Sequence, residues 1–204
     1  MTASINTGCH AIGYHMLPDR PLRFSDNLDL LFGGWGLITE NGIPKPSWHA
    51  LHMLSLLGEQ IVKIDRNVVV TRHNSMSYQC LLYHYEHLRP DAANRNLTRE
   101  DFELPESIFQ ESPEENITLR LNGISPGSYL IKELIVNSSR ANILHEWRQT
   151  GYRNLEGYYN VRALRRRSEM IPEITTVEVN EEETLTRTIF LRYNEVHLLL
   201  IDRC

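Results

Sequence analysis

From Gln60 onward the chain is a succession of short segments of one kind. Segments 61–64, 68–72, 78–85, 117–121, 129–136, 175–179, 184–193 and 195–201 are rich in β-branched or aromatic residues, and each is bounded by polar or turn residues. Many short strands with turns between them restrict the fold to packed antiparallel sheets, and a β-sandwich is the expected architecture. Asn122-Gly123 and Ser125-Pro126-Gly127 separate two of the segments, and Tyr193-Asn194-Glu195 is expected to close a terminal hairpin. Two stretches interrupt the pattern. Residues 88–115, acidic toward their end and punctuated by Pro90, Pro105 and Pro113, read as a surface excursion instead of core. Residues 140–171 carry helical spacing, with Ile143, Leu144 and Trp147 on one short helix and Leu155, Tyr158, Tyr159, Val161, Ala163 and Leu164 on another.

Upstream of Gln60 the chain is organised differently. Residues 9–17 (CHAIGYHML) read as a short buried strand, and residues 31–58 run LFGGWGLITENGIPKPSWHALHMLSLLG. Gly33, Gly34 and Gly36 permit a positive φ or a close backbone approach, so the chain can turn tightly beside a sheet end. Pro44 and Pro46 forbid helix before them. Ser47 is expected to cap the helix that follows, Ala50, Leu51, Leu54 and Leu57 recur at helical spacing, and Gly58 is expected to end it.

The order of Gly33, Gly34, Trp35, Gly36, Leu37, Ile43, Pro44, Lys45, Pro46, Leu56, Leu57 and Gly58 resembles, without gaps, the end of the catalytic barrel in glycoside hydrolase family 39, the β-xylosidases and their relatives. There a hydrophobic pair, Gly-Gly, an aromatic, Gly-Leu and Ile-Pro-Lys-Pro lead into the last barrel helix. Tyr129 to Lys132, Ile135-Val136-Asn137, Asn142, Trp147, Gly151 and Leu164 also resemble that family's accessory sandwich, and 188–202 its last hairpin. The fold implied is mainly β: a β-sandwich with short helices over 59–204, a helical insertion at about 140–171, and before it (1–58) the last strand, Gly-rich loop and last helix of a TIM barrel. A complete barrel of that kind takes about 250 residues, more than the 204 present.

The resemblance implies a function for the parent protein and withholds it from this stretch. Retaining glycosidases use two carboxylic acids about 5 to 5.5 Å apart, and in the family both are glutamates on earlier barrel strands. Neither motif occurs before Tyr14, and Thr39-Glu40-Asn41 lies after Gly36, where the family's order excludes a nucleophile. No catalytic residue is assigned, and the chain alone is expected to be inactive, a structural part of a xylan 1,4-β-xylosidase-like enzyme. Tyr14, His15 and Asp19 are the candidate substrate-binding residues, from the end of the strand. Tyr14 and Asp19 match the family, His15 replaces its aromatic platform, and Leu22 and Arg23 replace an acidic pair. That drift leaves three readings open: another glycan, a barrel turned to sensing as in AraC-type transcription regulators that carry such a barrel, or Tyr14 and His15 as ordinary packed strand residues. An independent carbohydrate-binding sandwich is a further option. The expected partners are the remainder of the barrel upstream and, in the full-length protein, a xylo-oligosaccharide or related glycoside; Trp48, Leu51 and Leu54 must otherwise pack on the sandwich or on a second copy as a homo-oligomer.

Charge and composition exclude several other classes. The net charge of -5 offers no general attraction to nucleic acid or anionic membrane. Arg162, Arg165, Arg166 and Arg167 form the one basic run, and their long stems read as a solvated or docking face. No run approaches the roughly 18 apolar residues of a membrane helix, and the first eight residues lack a signal pattern. Cys9, Cys80 and Cys204 make neither a disulfide framework nor a ligand spacing, so a cytoplasmic location is expected. His49 and His52 lie one helical turn apart without a third ligand, so no metal and no cofactor is expected.

Overall fold

The computed structural model describes residues 13–19, 36–95, 98, 100–101, 104–151, 158–181 and 184–204. The protein is mainly β. Its strands are β1 (Gln60–Asp65), β2 (Val68–Asn74), β3 (Ser77–His84), β4 (Glu115–Asn122), β5 (Gly127–Val136), β6 (Glu173–Val179), β7 (Thr184–Leu191) and β8 (Glu195–Arg203). All eight fall on the segments expected from residue type. They form an antiparallel six-stranded sheet in the order β1-β2-β3-β8-β5-β6 and a two-stranded sheet of β4 and β7. The longer helices among the described residues are α1 (Pro46–Ser55), α2 (Ile143–Gln149) and α3 (Tyr158–Arg167).

Strand composition explains strand position. β3, β8 and β5 carry near-continuous apolar runs such as Leu198-Leu199-Leu200-Ile201, and they occupy the middle of the large sheet, where most of their residues on both faces are buried. β7 alternates instead: Leu185, Ile189 and Leu191 are buried while Thr186, Thr188 and Phe190 face outward. Between the sheets lies the main core, built from Val70, Cys80, Leu82, Leu119, Leu121, Tyr129, Ile131, Leu185, Ile189, Leu199 and Ile201. The Tyr129 hydroxyl, the polar end of a fully buried ring, donates to the Ser125 carbonyl at 2.9 Å. Burial of the Cys80 thiol in this core pushes its pKa up to about 12, which makes it inert as a nucleophile. A second cluster, Val69, Leu81, Leu134, Val136 and Leu198, covers the opposite face of the large sheet, and Met53, Leu54, Leu56 and Leu57 of the α1 segment pack onto it. A third joins Ile43 to Ile143 of α2 and Leu164 of α3.

The expected terminal hairpin is not formed. β7 pairs with β4 and β8 with β3 and β5, so the turn at Tyr193-Asn194-Glu195 carries the chain from one sheet to the other. Asn194 takes a positive φ of 58°, as a tight turn requires, but the strands it joins face different partners. The reason is burial: a strand with one apolar face suits the small outer sheet, and one apolar on both faces belongs inside. Residues 88–115 are also more than an excursion. A helical turn at Pro90–Ala93 buries Ala92, a 3-10 turn at Pro105–Ile108 buries Ile108, and Leu88 bridges Phe109. Within them Arg95 grips Asp101 through two bonds of 2.6 and 2.7 Å, which with the Thr98 N–H holds the Asp101 carboxyl well below the usual carboxylate range.

Candidate functional site

The segment that resembled a barrel end folds into a closed junction. Residues 13–17 form no strand and Tyr14, His15 and Leu17 are exposed, so the buried strand expected over 9–17 is not found there; 9–12 lie outside the described residues. The backbone there runs beside the second part of the motif: Leu37 N and Ile38 N donate to the Leu17 carbonyl at 2.9 and 3.0 Å, and Asp19 N donates to the Ile38 carbonyl at 2.9 Å. Pro18 bridges Ile38 in parallel, and Ile38 bridges Pro44. Gly36 is required by this approach, because a β-carbon there would lie 2.3 Å from Asp19 N and 2.4 Å from the Pro18 carbonyl carbon. Gly33, Gly34 and Trp35 lie outside the described residues.

Asp19 organises the junction. Its Oδ1 accepts from Gly36 N at 2.8 Å and from Lys45 Nζ at 2.6 Å, tying the glycine turn to the Pro-Lys-Pro stop. Thr39 N donates to the Ile43 carbonyl at 2.9 Å and Thr39 Oγ1 accepts from Ile43 N at 3.1 Å, which delivers Ile43 to the interior at 0 % exposure. Replacing Asp19 with Ala is expected to cost about 2 kcal/mol, since the partly buried Lys45 ammonium and the Gly36 N–H each lose a charged acceptor; a urea titration of the variant against the parent chain measures it.

Helix α1 begins at Pro46, with Lys45 as the N-cap residue and no side-chain cap bond, so Ser47 does not take the capping role expected of it. Its inner face is His49 and Met53, with Ala50, Leu54 and Leu57 flanking. His49 Nε2 lies 3.0 Å from the Ser168 carbonyl, and burial pushes the pKa of His49 down. His52 is exposed on another face, so the two histidines do not converge. Gly58 does not end the helix by a left-handed turn. It sits where the chain crosses β2, and a β-carbon on it would lie 2.5 Å from the Arg72 carbonyl carbon and 2.6 Å from its oxygen. Gly58 N instead donates to Thr71 Oγ1 at 2.8 Å.

Beside α1 the large sheet is left uncovered over a groove of about 660 Å³ lined by Ala50, Leu54, Leu57, Tyr83, Tyr85 and Val196, among others. Tyr85 in its lining is 63 % exposed, and Trp48 of α1 is 38 % exposed. Of the candidate sugar-binding residues, Tyr14 and His15 are exposed at the segment's start while Asp19 is engaged in the junction. Arg162, Arg165 and Arg166 are exposed on α3, and Arg167 lies 3.5 Å from Glu146.

A polar cluster inside the sandwich had no counterpart in the sequence reading. Glu133 of β5 and Glu195 and His197 of β8 are each buried between the sheets. His197 Nδ1 donates to Glu133 Oε1 at 2.8 Å, and Arg187 of β7 reaches Glu133 Oε2 at 3.4 Å. These two glutamates flank a histidine within the protein, not a cleft open to sugar. Their signal was a charged or imidazole side chain at an inward position of an otherwise apolar strand, as in Tyr129-Leu130-Ile131-Lys132-Glu133-Leu134. Among the described residues no group of three or more His, Cys, Asp or Glu could hold a metal ion, and no helix is long and apolar enough to cross a membrane.

No family model matches the chain. A β-xylosidase of Geobacillus stearothermophilus is 26 % identical to it over 178 residues, 85 % of this chain. This chain is similar to the C-terminal part of family 39 glycoside hydrolases. Solved structures agree on the fold: the GH39 enzyme from Xanthomonas axonopodis pv. citri superposes with a TM-score of 0.68 at 19 % identity, and a monomeric β-xylosidase from Caulobacter crescentus CB15 with 0.64 at 21 %, each over 84 % of this chain. The chain spans 30 % of the length of the Geobacillus enzyme and 33 % of each of these two, and it matches their C-terminal part. The family 39 likeness read from residues 31–58 and 129–202 therefore recurs over most of the chain.

Proposed function

We propose that the chain is the C-terminal portion of a family 39 glycoside hydrolase that performs retaining O-glycosyl hydrolysis of a xylo-oligosaccharide or related glycoside. Residues 1–58 are the end of its (β/α)8 barrel, and residues 59–204 its accessory β-sandwich with a helical insertion at about 140–171. The observation that carries this reading is α1 itself. It is held by one face on the large sheet through Met53, Leu54 and Leu57, its entry is fastened by Asp19 and Lys45, and an open apolar groove runs along its flank. A lone helix with an uncovered apolar flank suits a protein whose remaining barrel packs there.

The role of this portion is to brace the barrel, with both catalytic glutamates upstream. Its own acids support that division, since Asp19 is spent on Lys45 and Gly36, and Glu133 and Glu195 are spent on His197. Tyr14 and His15 form the rim that meets the sugar, with Asp19 shaping the backbone behind them. The purified 204-residue chain is expected to show no turnover of an aryl β-xyloside. Turnover that a single acidic substitution within these residues abolishes would overturn the reading. Two glutamates in Asn-Glu and Thr-Glu-aromatic motifs are expected in the coding sequence just upstream; a helix-turn-helix pair there without those motifs would instead make the chain part of a sugar-responsive regulator.

A further inference from the structure

The buried cluster around His197 does work that bracing a barrel does not require. Its members come from both sheets: Glu133 and His197 from the large one, Arg187 from the small one. His197 Nδ1 is committed to Glu133 at 2.8 Å, while Nε2 makes no hydrogen bond and faces Glu195 Oε2 at 3.8 Å. In neutral imidazole with Nδ1 protonated, Nε2 presents a lone pair to that carboxylate. In the imidazolium it presents an N–H. Protonation also lets two cations, His197 and Arg187, balance two carboxylates, Glu133 and Glu195, in an interior where net charge is costly.

We propose that His197 is a proton-controlled clamp: while its imidazole is charged, the cluster of Glu133, Glu195, His197 and Arg187 enclosed between the sheets is neutral and holds the small β4–β7 sheet on the large one, and loss of the proton leaves two buried carboxylates facing one arginine and loosens that seam. Other ionisable groups lie around it. His84 of β3 stands opposite Glu195 in register, with its Nε2 3.1 Å from Ser112 Oγ, 3.4 Å from Glu86 and 4.0 Å from Glu115 of β4. Arg192 gives its backbone N–H to Glu195 at 3.1 Å and its guanidinium to Glu114 at 2.8 Å.

The signs agree with the geometry. Burial works to lower the pKa of His197, but Glu133 and Glu195 outweigh it and hold the value above the ordinary 6.5. The stabilisation is therefore complete below pH 6.5 and is lost as pH rises through the raised value. For Glu133 the His197 bond is the largest influence and lowers its pKa; for Glu195 burial raises it, and the nearby His197 imidazole together with the bond from the Arg192 N–H prevails and lowers it. Both carboxylates add stability that is lost only when pH falls toward their own range, below 4.5. His49 acts in the opposite sense, since a histidine buried neutral destabilises as pH drops below 6.5, so the test rests on the difference between wild type and a His197 variant.

Thermal unfolding of the full chain and of His197→Gln would be compared at about pH 6 and about pH 8.5. The wild-type midpoint is expected to fall by roughly 3 to 6 °C more than that of the variant. Hydrogen exchange, corrected for intrinsic rates, is expected to show roughly tenfold loss of protection in β4 and β7 across the same interval, with β2 and β3 unchanged. Identical pH dependence in the two proteins, or loss spread evenly over both sheets, would overturn the clamp. Should His197→Gln not fold, NMR titration of the wild-type imidazole decides: a midpoint above 6.5 with β7 amides shifting alongside is expected, and one at or below 6.5 sinks the idea.

Discussion

Gly58→Ala is expected to destabilise the protein by about 3 kcal/mol, although alanine is the better helix former and the residue follows a helix. The added methyl would lie 2.5 and 2.6 Å from the Arg72 carbonyl group. Gln79 Oε1, at 2.4 Å, sits on a movable side chain, but the Arg72 backbone is held in register, with Arg72 opposite Tyr78 and Gln60 opposite Arg72. Accommodation therefore shifts either α1 off Val69 and Leu81 or β2 within its sheet. The same shift would stretch the bond from Gly58 N to Thr71 Oγ1, whose hydroxyl in turn donates to Gln79 Oε1 at 3.1 Å. In a thermal scan the midpoint is expected roughly 6 to 12 °C lower. Gly13→Ala serves as the control, because nothing lies within 4 Å of a β-carbon there, and its effect is expected within about 0.5 kcal/mol. Equal effects of the two substitutions would mean that α1 is not pressed against β2 as described.

Leu199→Ala is expected to cost about 3 to 4 kcal/mol, the consequence of emptying a fully buried site between two rigid sheets. Leu199 lies in the middle of the large sheet, opposite Cys80 on β3 and Glu133 on β5, and its side chain belongs to the cluster shared with Leu119, Leu185 and Ile189 of the small sheet. Little can move in to fill the space, since its neighbours on both sides are hydrogen-bonded strands. Phe190→Ala, a larger deletion in a strand of the other sheet, is expected to change stability by no more than about 0.5 kcal/mol because Phe190 is 66 % exposed on the outer face of β7. Urea titrations of the two variants measure both. A pairing of β7 with β8 in one hairpin would place Phe190 and Leu199 differently and equalise their costs, so the pair of measurements also tests the sheet assignment.

Local signals located the elements well. Every strand of the sandwich fell on a segment rich in β-branched and aromatic residues, and α1 on the apolar spacing after Pro46, because a short segment's preference for strand or helix is carried by its own residues. Turn chemistry was equally local: Asn194 stands where a positive φ is needed. Pairing was not local. Tyr193-Asn194-Glu195 read as the tip of a hairpin, yet β7 and β8 diverge into different sheets, and the distinguishing sign, alternation in β7 against a continuous apolar run in β8, has meaning only once two faces must be covered.

The glycines of the 31–58 segment illustrate the same division. That Gly36 and Gly58 permit close approach follows from the absent side chain, but which backbone approaches, Pro18-Asp19 in one case and Arg72 in the other, depends on residues 17 and 14 positions away. Asp19 was singled out as a sugar ligand from its place in a motif, and the structure gives it Lys45 and Gly36 as partners. Nothing local marks Glu133 and His197, and Glu195 reads only as part of a turn, since a charged residue in a strand normally faces water and only the second sheet turns that position inward. By itself, then, the order of residues determined the class of fold, the position of each strand and the likeness to family 39, all of which rest on short-range preference and on a contiguous motif. Strand order, the seat of α1 and the enclosed proton site were decided by tertiary structure, because each depends on surfaces that meet only after distant segments are brought together to bury their apolar faces.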